Sequence, residues 1–227
     1  MKKETIILSL GGSLIFPEEI DAEYLKEFKK LIEKYIKEGF RFVIITGGGK
    51  ICRKYQSAAR DISKISDLET DWLGISVTKM NAQFVKSLFG DLAHPTIIDN
   101  PTKKIAFEEK ILIGCGWKPG CSSDKDAVLL AKNLGIKKVI NLTNIEYVYN
   151  KDPRQFEDAK KIEKISWKDF RRIVGDKWDP GLNVPFDPVA SKLSERLGLT
   201  VIIANGKNLN NLQKIFDNKK FTGTIIS

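Results

Sequence analysis

Six short apolar runs recur along the chain: ETIILSL (4–10), RFVIIT (41–46), PTIID (95–99), KILIGCG (110–116), KKVINLT (137–143) and TVIIANG (200–206). Runs of four to seven β-branched residues are too short for helices and read as strands. Between them lie stretches with helical spacing. Residues 18–38 place Ile20, Tyr24, Leu25, Phe28, Leu31, Ile32, Tyr35 and Ile36 on one face, and 49–63 follow the second strand as a helix. Residues 71–90 carry apolar side chains around much of the circumference, which predicts a deeply packed helix. SSDKDAVLLAKNLG, DPVASKLSERLG and NLNNLQKIFDNK are further helices, and FTGTIIS closes the chain as a strand. All-apolar strands alternating with helices predict an α/β protein whose mainly parallel sheet is covered on both faces.

In such a sheet, ligands bind beyond the carboxyl ends of the strands. The loops there are 11–13, 47–53, 114–124 and 143–154. Gly11-Gly12-Ser13 ends the first strand, and without Cβ atoms its backbone N–H groups can approach an anion closely. Strand-ending glycines are common, so this corner alone is equally a packing device. Gly47-Gly48-Gly49 repeats the pattern and opens a helix, with Lys50 and Arg53 in its first turn. The helix dipole disfavours cations there, which suggests a bound anion beside them, the alternative being surface cations. Neither corner has the spacing of a P-loop or a dinucleotide fingerprint.

The third loop, GCGWKPGCSSD (114–124), combines glycines, Lys118 and two serines with Asp124. Ser122 or Ser123 can cap the following helix, but one hydroxyl suffices for that and the rest stays unexplained. In LTNIEYVYNKDPR (142–154), Thr143 and Asn144 end a strand ahead of two tyrosines and an Asp152-Pro153 turn. Singly each loop reads as structural; four on one sheet edge read as a site.

Composition narrows the classes. The net charge of +9 comes from lysines interleaved with acids, as in KEFKKLIEKYIKE, with no basic-aromatic cluster. It reads mostly as a solvated surface rather than a nucleic-acid interface. Cys52, Cys115, Cys121 and the single His94 offer no zinc spacing, so reduced structural thiols in a cytoplasmic protein are expected. No run approaches the roughly 20 residues that span a bilayer. The lysines before the first apolar run imitate a secretion signal, but Glu4 and the glycine break make that run a strand.

The GGS corner, TGGGKICR, DWLGISVTKMNA, GCGWKPGCSSD, the AKKI segment, FDPVASK and the TN-x-x-x-VY-x-x-DP pattern resemble the amino acid kinase superfamily, and within it the uridylate (UMP) kinases of archaeal type, nearly end to end. The resemblance implies one amino acid kinase domain over 1–227, a three-layer α/β/α sandwich, with a soft boundary near 120–137 between an acceptor lobe and an ATP lobe. It implies phosphorylation of UMP by ATP with Mg²⁺, in a homohexamer. By matching positions, Gly12, Ser13, Gly49 and Arg53 would face the ATP phosphates, and Thr143, Tyr149 and Asp152 would hold its nucleoside end. Gly48 would meet the UMP phosphate and Asp71 its ribose, while Trp117, Lys118, Pro119, Gly120, Cys121, Ser122 and Ser123 would wrap the acceptor. Arg53, Asp124 and Lys50 are the expected catalytic groups, with Mg²⁺ held mainly by phosphates and Asp124 as the candidate protein group beside it. Ser9 stands where many superfamily members have lysine, and the acceptor loop and Glu146-Tyr147 also depart from the pattern. Same-fold kinases of other phosphate or carboxylate acceptors, and a non-catalytic nucleotide or oxyanion binder, are the alternative functions.

Overall fold

The computed structural model describes residues 4–120, 122–178 and 184–227. Its centre is four parallel strands: β1 (Thr5–Leu10), β2 (Arg41–Thr46), β3 (Ile111–Gly114) and β4 (Lys138–Thr143). Ile7 pairs with Val43 on one side and Val139 on the other. A two-residue hairpin follows, β5 (Val148–Tyr149) with β6 (Lys161–Ile162). Three more strands extend the sheet: β7 (Lys164–Ile165), β8 (Thr200–Asn205) and β9 (Thr224–Ile226). Among the described residues the order is β3-β2-β1-β4-β8-β9-β7, with only the β8–β9 pair antiparallel.

The strand period of two divides the core. Ile6, Leu8 and Leu10 face a layer made by α1 (Gly12–Ile15), α2 (Ala22–Lys37), the second half of α4 (Asp67–Phe89) and α8 (Leu209–Phe216). Ile7, Val43, Leu112 and Val201 face the opposite layer, made by α5 (Ser123–Leu134), α6 (Trp167–Val174) and α7 (Pro188–Leu197). The remaining helix, α3 (Gly49–Ile62), packs along α4. The expected three-layer α/β/α sandwich is therefore present.

Four expectations change. PTIID is not a strand; it touches the sheet only through the isolated bridges Ala93↔Ile111 and Ile98↔Gly114. Pro95, which has no N–H to donate, interrupts any ladder there. The helix expected over 18–38 begins at Ala22, where Asp21 caps it by accepting from the Tyr24 N–H. α4 begins at Asp67 rather than 71, because Ser66 and Glu69 form a reciprocal capping box. Nor is α4 buried by apolar contact all round. Its inward face near the glycine loops holds Thr70, Asp71, Thr78 and Asn81, while Leu68, Trp72 and Met80 are exposed.

Candidate active site

The two glycine corners interlock. A Cβ on Gly12 would lie 2.4 Å from the Gly48 carbonyl carbon and the Gly49 nitrogen. On Gly49, whose φ is +68°, it would lie 2.3 Å from the Gly12 carbonyl carbon. Backbone therefore sits against backbone at the ends of β1 and β2, a contact that only glycine allows. Ser13 follows in the first turn of α1. The Asn81 side-chain amide donates to the Gly47 carbonyl at 2.8 Å and ties this double corner to α4.

The loop after β3 is pinned to the same place by its own N–H groups. Gly116 donates to Thr78 Oγ1 (2.9 Å), Trp117 to Asp126 Oδ2 (3.2 Å), Gly120 to Asp71 Oδ2 (2.7 Å) and Ser122 to Asp187 Oδ2 (2.8 Å). Ser122 is the cap of α5, accepting from the Asp124 N–H. Between the loop, α3 and α4 is a cavity of about 140 Å³ lined by Gly48, Gly49, Cys52, Arg53, Gln56, Asp71, Gly74, Ile75, Thr78, Gly116, Ser122, Ser123 and Trp178. A larger hollow of about 490 Å³ lies by the amino end of β3, among Gln83, Lys86, Asp91 and Glu109. It contains none of the glycine loops, and the carboxyl-end rule places the chemistry at the smaller cavity.

Behind the cavity stand the carboxylates of Asp124, Asp126 and Asp187, which form no ion pair among the described residues, Asp126 feeling only the nearby charge of Lys125. Asp124 accepts from Ser9 Oγ (3.1 Å) through one oxygen and from the Asp187 N–H (3.1 Å) through the other. Desolvation, then the charge of Asp187, pushes its carboxyl up to about 7. Burial pushes Asp126 up to about 7 as well, and its Oδ1 has no hydrogen-bond partner. Such carboxylates are uncomfortable as anions until positive charge arrives. Cys52, inside the cavity, is pushed up to about 11 by burial and is an inert thiol.

Of the residues singled out in the sequence, Gly48, Gly49, Arg53, Asp71, Ser122 and Ser123 line this cavity, with Gly12 and Asp124 beside it. Lys50 instead points to the outside, where its ammonium meets Glu18. Lys118 lies over the Trp117 ring at 4.2 Å, in the same loop as Pro119, and neither Trp117, Lys118 nor Pro119 lines the cavity. Cys121 lies outside the described residues. Thr143 is the last residue of β4, Tyr149 lies in the hairpin, and Asp152 pairs with Arg154 at 2.9 Å. None of the three lines the cavity, and the end of β4 is joined to the first glycine corner by the Gly11 N–H bond to the Leu142 carbonyl (3.0 Å).

Sequence reasoning missed Gln56, Thr78, Asn81, Asp126, Asp187 and Trp178. The buried polar residues Thr70, Asp71, Thr78 and Asn81 on the inward face of α4 are the signal that marks this helix as part of a site. Trp178, in irregular chain after α6, carries none.

The profile of the amino acid kinase family matches residues 4–205. A uridylate kinase of Methanospirillum hungatei is 32% identical over 226 residues, covering 98% of this chain and 94% of the relative. One from Thermoplasma volcanium is 33% identical over 226 residues, covering 98% and 97%. The crystal structure of the uridylate kinase from Archaeoglobus fulgidus superposes with a TM-score of 0.80 at 29% identity, covering 100% of both chains. The matched span takes in both glycine corners, the pinned loop and the β4 end, and the chain belongs to the amino acid kinase family.

Proposed function

We propose that the protein transfers the γ-phosphate of ATP to UMP, giving UDP. The observation that carries this is near-full-length similarity to uridylate kinases, at 32% and 33% identity, in a chain whose glycine corners and acceptor loop converge on one cavity. The finer assignments are part of the proposal. The ATP phosphates lie over Gly12, Ser13 and Gly49, with the nucleoside end toward Thr143, Tyr149 and Asp152. UMP enters the cavity, its phosphate over Gly48 and its ribose hydroxyls on Asp71. The N-terminal lobe thus holds the acceptor and the C-terminal lobe the donor. A UMP phosphate oxygen is already a competent nucleophile at neutral pH, so positioning and charge neutralisation suffice and no protein base is needed. Arg53 supplies the cation at the cavity; among the described residues it pairs with no carboxylate, which leaves its guanidinium available.

Mg²⁺ fits these residues as a phosphate-held ion. Among the described residues no cluster of three or more potential ligands could cage a metal. The under-compensated carboxyl of Asp124 is the group that would approach such an ion. When bound, the ion offsets phosphate charge. A cytoplasmic homohexamer serving pyrimidine nucleotide synthesis completes the reading.

The test is steady-state turnover with ATP, Mg²⁺ and a panel of UMP, CMP, AMP, GMP, isopentenyl phosphate, carbamate and amino acids. UDP formation, lost on chelation of the metal, is expected. No turnover with any nucleoside monophosphate would sink the reading.

A further inference from the structure

Asp71 is 9% exposed, and its Oδ2 is engaged twice: by the Gly120 N–H at 2.7 Å and by the indole Nε1–H of Trp178 at 3.3 Å. Trp178 reaches this carboxylate from 107 residues away in the chain, out of the segment that follows α6. It is half-buried and is the one aromatic side chain among the described residues lining the cavity. Half of the rest are glycine or serine: Gly48, Gly49, Gly74, Gly116, Ser122 and Ser123. The space left is about 140 Å³, whereas cavities that enclose a small organic ligand usually measure about 300–1,000 Å³. The indole takes up part of this slot beside Asp71.

The geometry points to Trp178 as a recognition residue for the acceptor's base. In the free protein its N–H holds Asp71 and its ring occupies part of the slot. On acceptor binding it cedes Asp71 to the ribose hydroxyls and lays its ring against the base. This rests on the reading that the acceptor is a nucleoside monophosphate. The exchange is close to balanced for Asp71, since one neutral donor replaces another. Ring–base contact is what the bound state gains.

Two substitutions separate the roles of the N–H and the ring. Trp178→Phe keeps a ring and removes the competing donor, so KM for UMP stays the same or falls by up to about threefold. Trp178→Ala removes the ring as well, and KM for UMP rises about tenfold or more, on the scale of a lost base stack. KM for ATP stays within about twofold in both variants. Ribose 5-phosphate, which has no base, is the control ligand. Its inhibition constant against UMP stays within about twofold in Trp178→Ala. Equal weakening of UMP and ribose 5-phosphate would show a structural role only and overturn the proposal. So would a Trp178→Ala enzyme with unchanged KM for UMP. A more than fivefold loss in Trp178→Phe, about 1 kcal/mol, would overturn it even if the alanine variant failed to fold. A parent enzyme that binds no nucleoside monophosphate by calorimetry overturns the functional reading along with this one. Binding by the parent, matched by equal binding in Trp178→Ala, overturns this one alone.

Discussion

Asp124 shows what burying one carboxyl beside the cavity costs the fold. Its two oxygens take a hydroxyl and a backbone N–H, yet burial and the neighbouring charge of Asp187 hold its carboxyl near 7, far above the ordinary 3.8. A carboxyl raised in the fold and ordinary in the unfolded chain destabilises the fold fully above about pH 7. The penalty fades as pH falls from about 7 toward about 4, because only the folded state then takes up the proton. Asn at this position is neutral at every pH and nearly the same shape. It keeps an oxygen for the Asp187 N–H and an amide beside Ser9. Discounted for the solvent that still reaches the residue, the gain is about 1–2 kcal/mol. Asp124→Asn is therefore expected to raise Tm by about 2–6 °C at pH 8 and by less at pH 5, while kcat falls by about 10²-fold or more. Calorimetric melts at the two pH values, beside the UDP assay, decide it; a variant that is less stable at pH 8 would refute the account.

At the scale of elements, α4 supplies one wall of the cavity. Asp71, Thr78 and Asn81 ride on it and each bonds to a loop, Thr78 Oγ1 also donating to the Ile75 carbonyl of the helix itself. Its start is fixed by Ser66, which accepts from the Glu69 N–H while Glu69 accepts from the Ser66 N–H. Ser66→Ala should cost about 1 kcal/mol, lowering Tm by about 2–4 °C, because the second half of the helix is anchored in the core. KM for UMP should hold within about twofold, since the first residue facing the cavity lies a full turn beyond the cap. A large rise in KM with little loss of Tm would mean that the helix end moves as a unit on acceptor binding. This helix also shows what the sequence could and could not deliver. The Ser-x-x-Glu spacing of the cap was readable, because it is local. The strand set was readable for the same reason: β1, β2, β3, β4 and β8 are short, mostly apolar runs rich in β-branched residues. PTIID reads as a strand because β-branched residues favour one wherever an edge is free, and only the fold shows that the segment meets the sheet through isolated bridges at Ala93 and Ile98. The antiparallel turn of β9 and the placement of Trp178 on Asp71 depend on contacts far apart in the chain, which no local pattern encodes.

Over the whole molecule, the charge balance and the site pull in opposite directions. The chain carries a net charge of +9, yet among the described residues the cavity is lined by one cation, Arg53, against Asp71, with Asp124, Asp126 and Asp187 behind it. Both proposed substrates are polyanions, so the local carboxylates oppose their approach and the distributed positive field must favour it. Many lysines are paired on the surface, as Lys29 with Glu33 and Lys30 with Glu27, and the excess acts as a diffuse field rather than a docking patch. A diffuse field is screened once the Debye length, roughly 30 Å at 0.01 M salt, shrinks to about 8 Å near 0.15 M. Contacts inside the occupied cavity are screened far less. Raising salt from about 0.01 M to about 0.15 M should therefore lower kcat/KM for UMP about three- to tenfold and leave kcat within about twofold. Replacing Lys29, Lys30 and Lys34 of α2 together by glutamate, on a helix that supplies no cavity residue, should reproduce part of that loss at low salt and none at high salt. If kcat/KM proves indifferent to both salt and these substitutions, the surface charge has no part in capturing substrate, and Arg53 with the glycine-corner amides must overcome the carboxylates unaided.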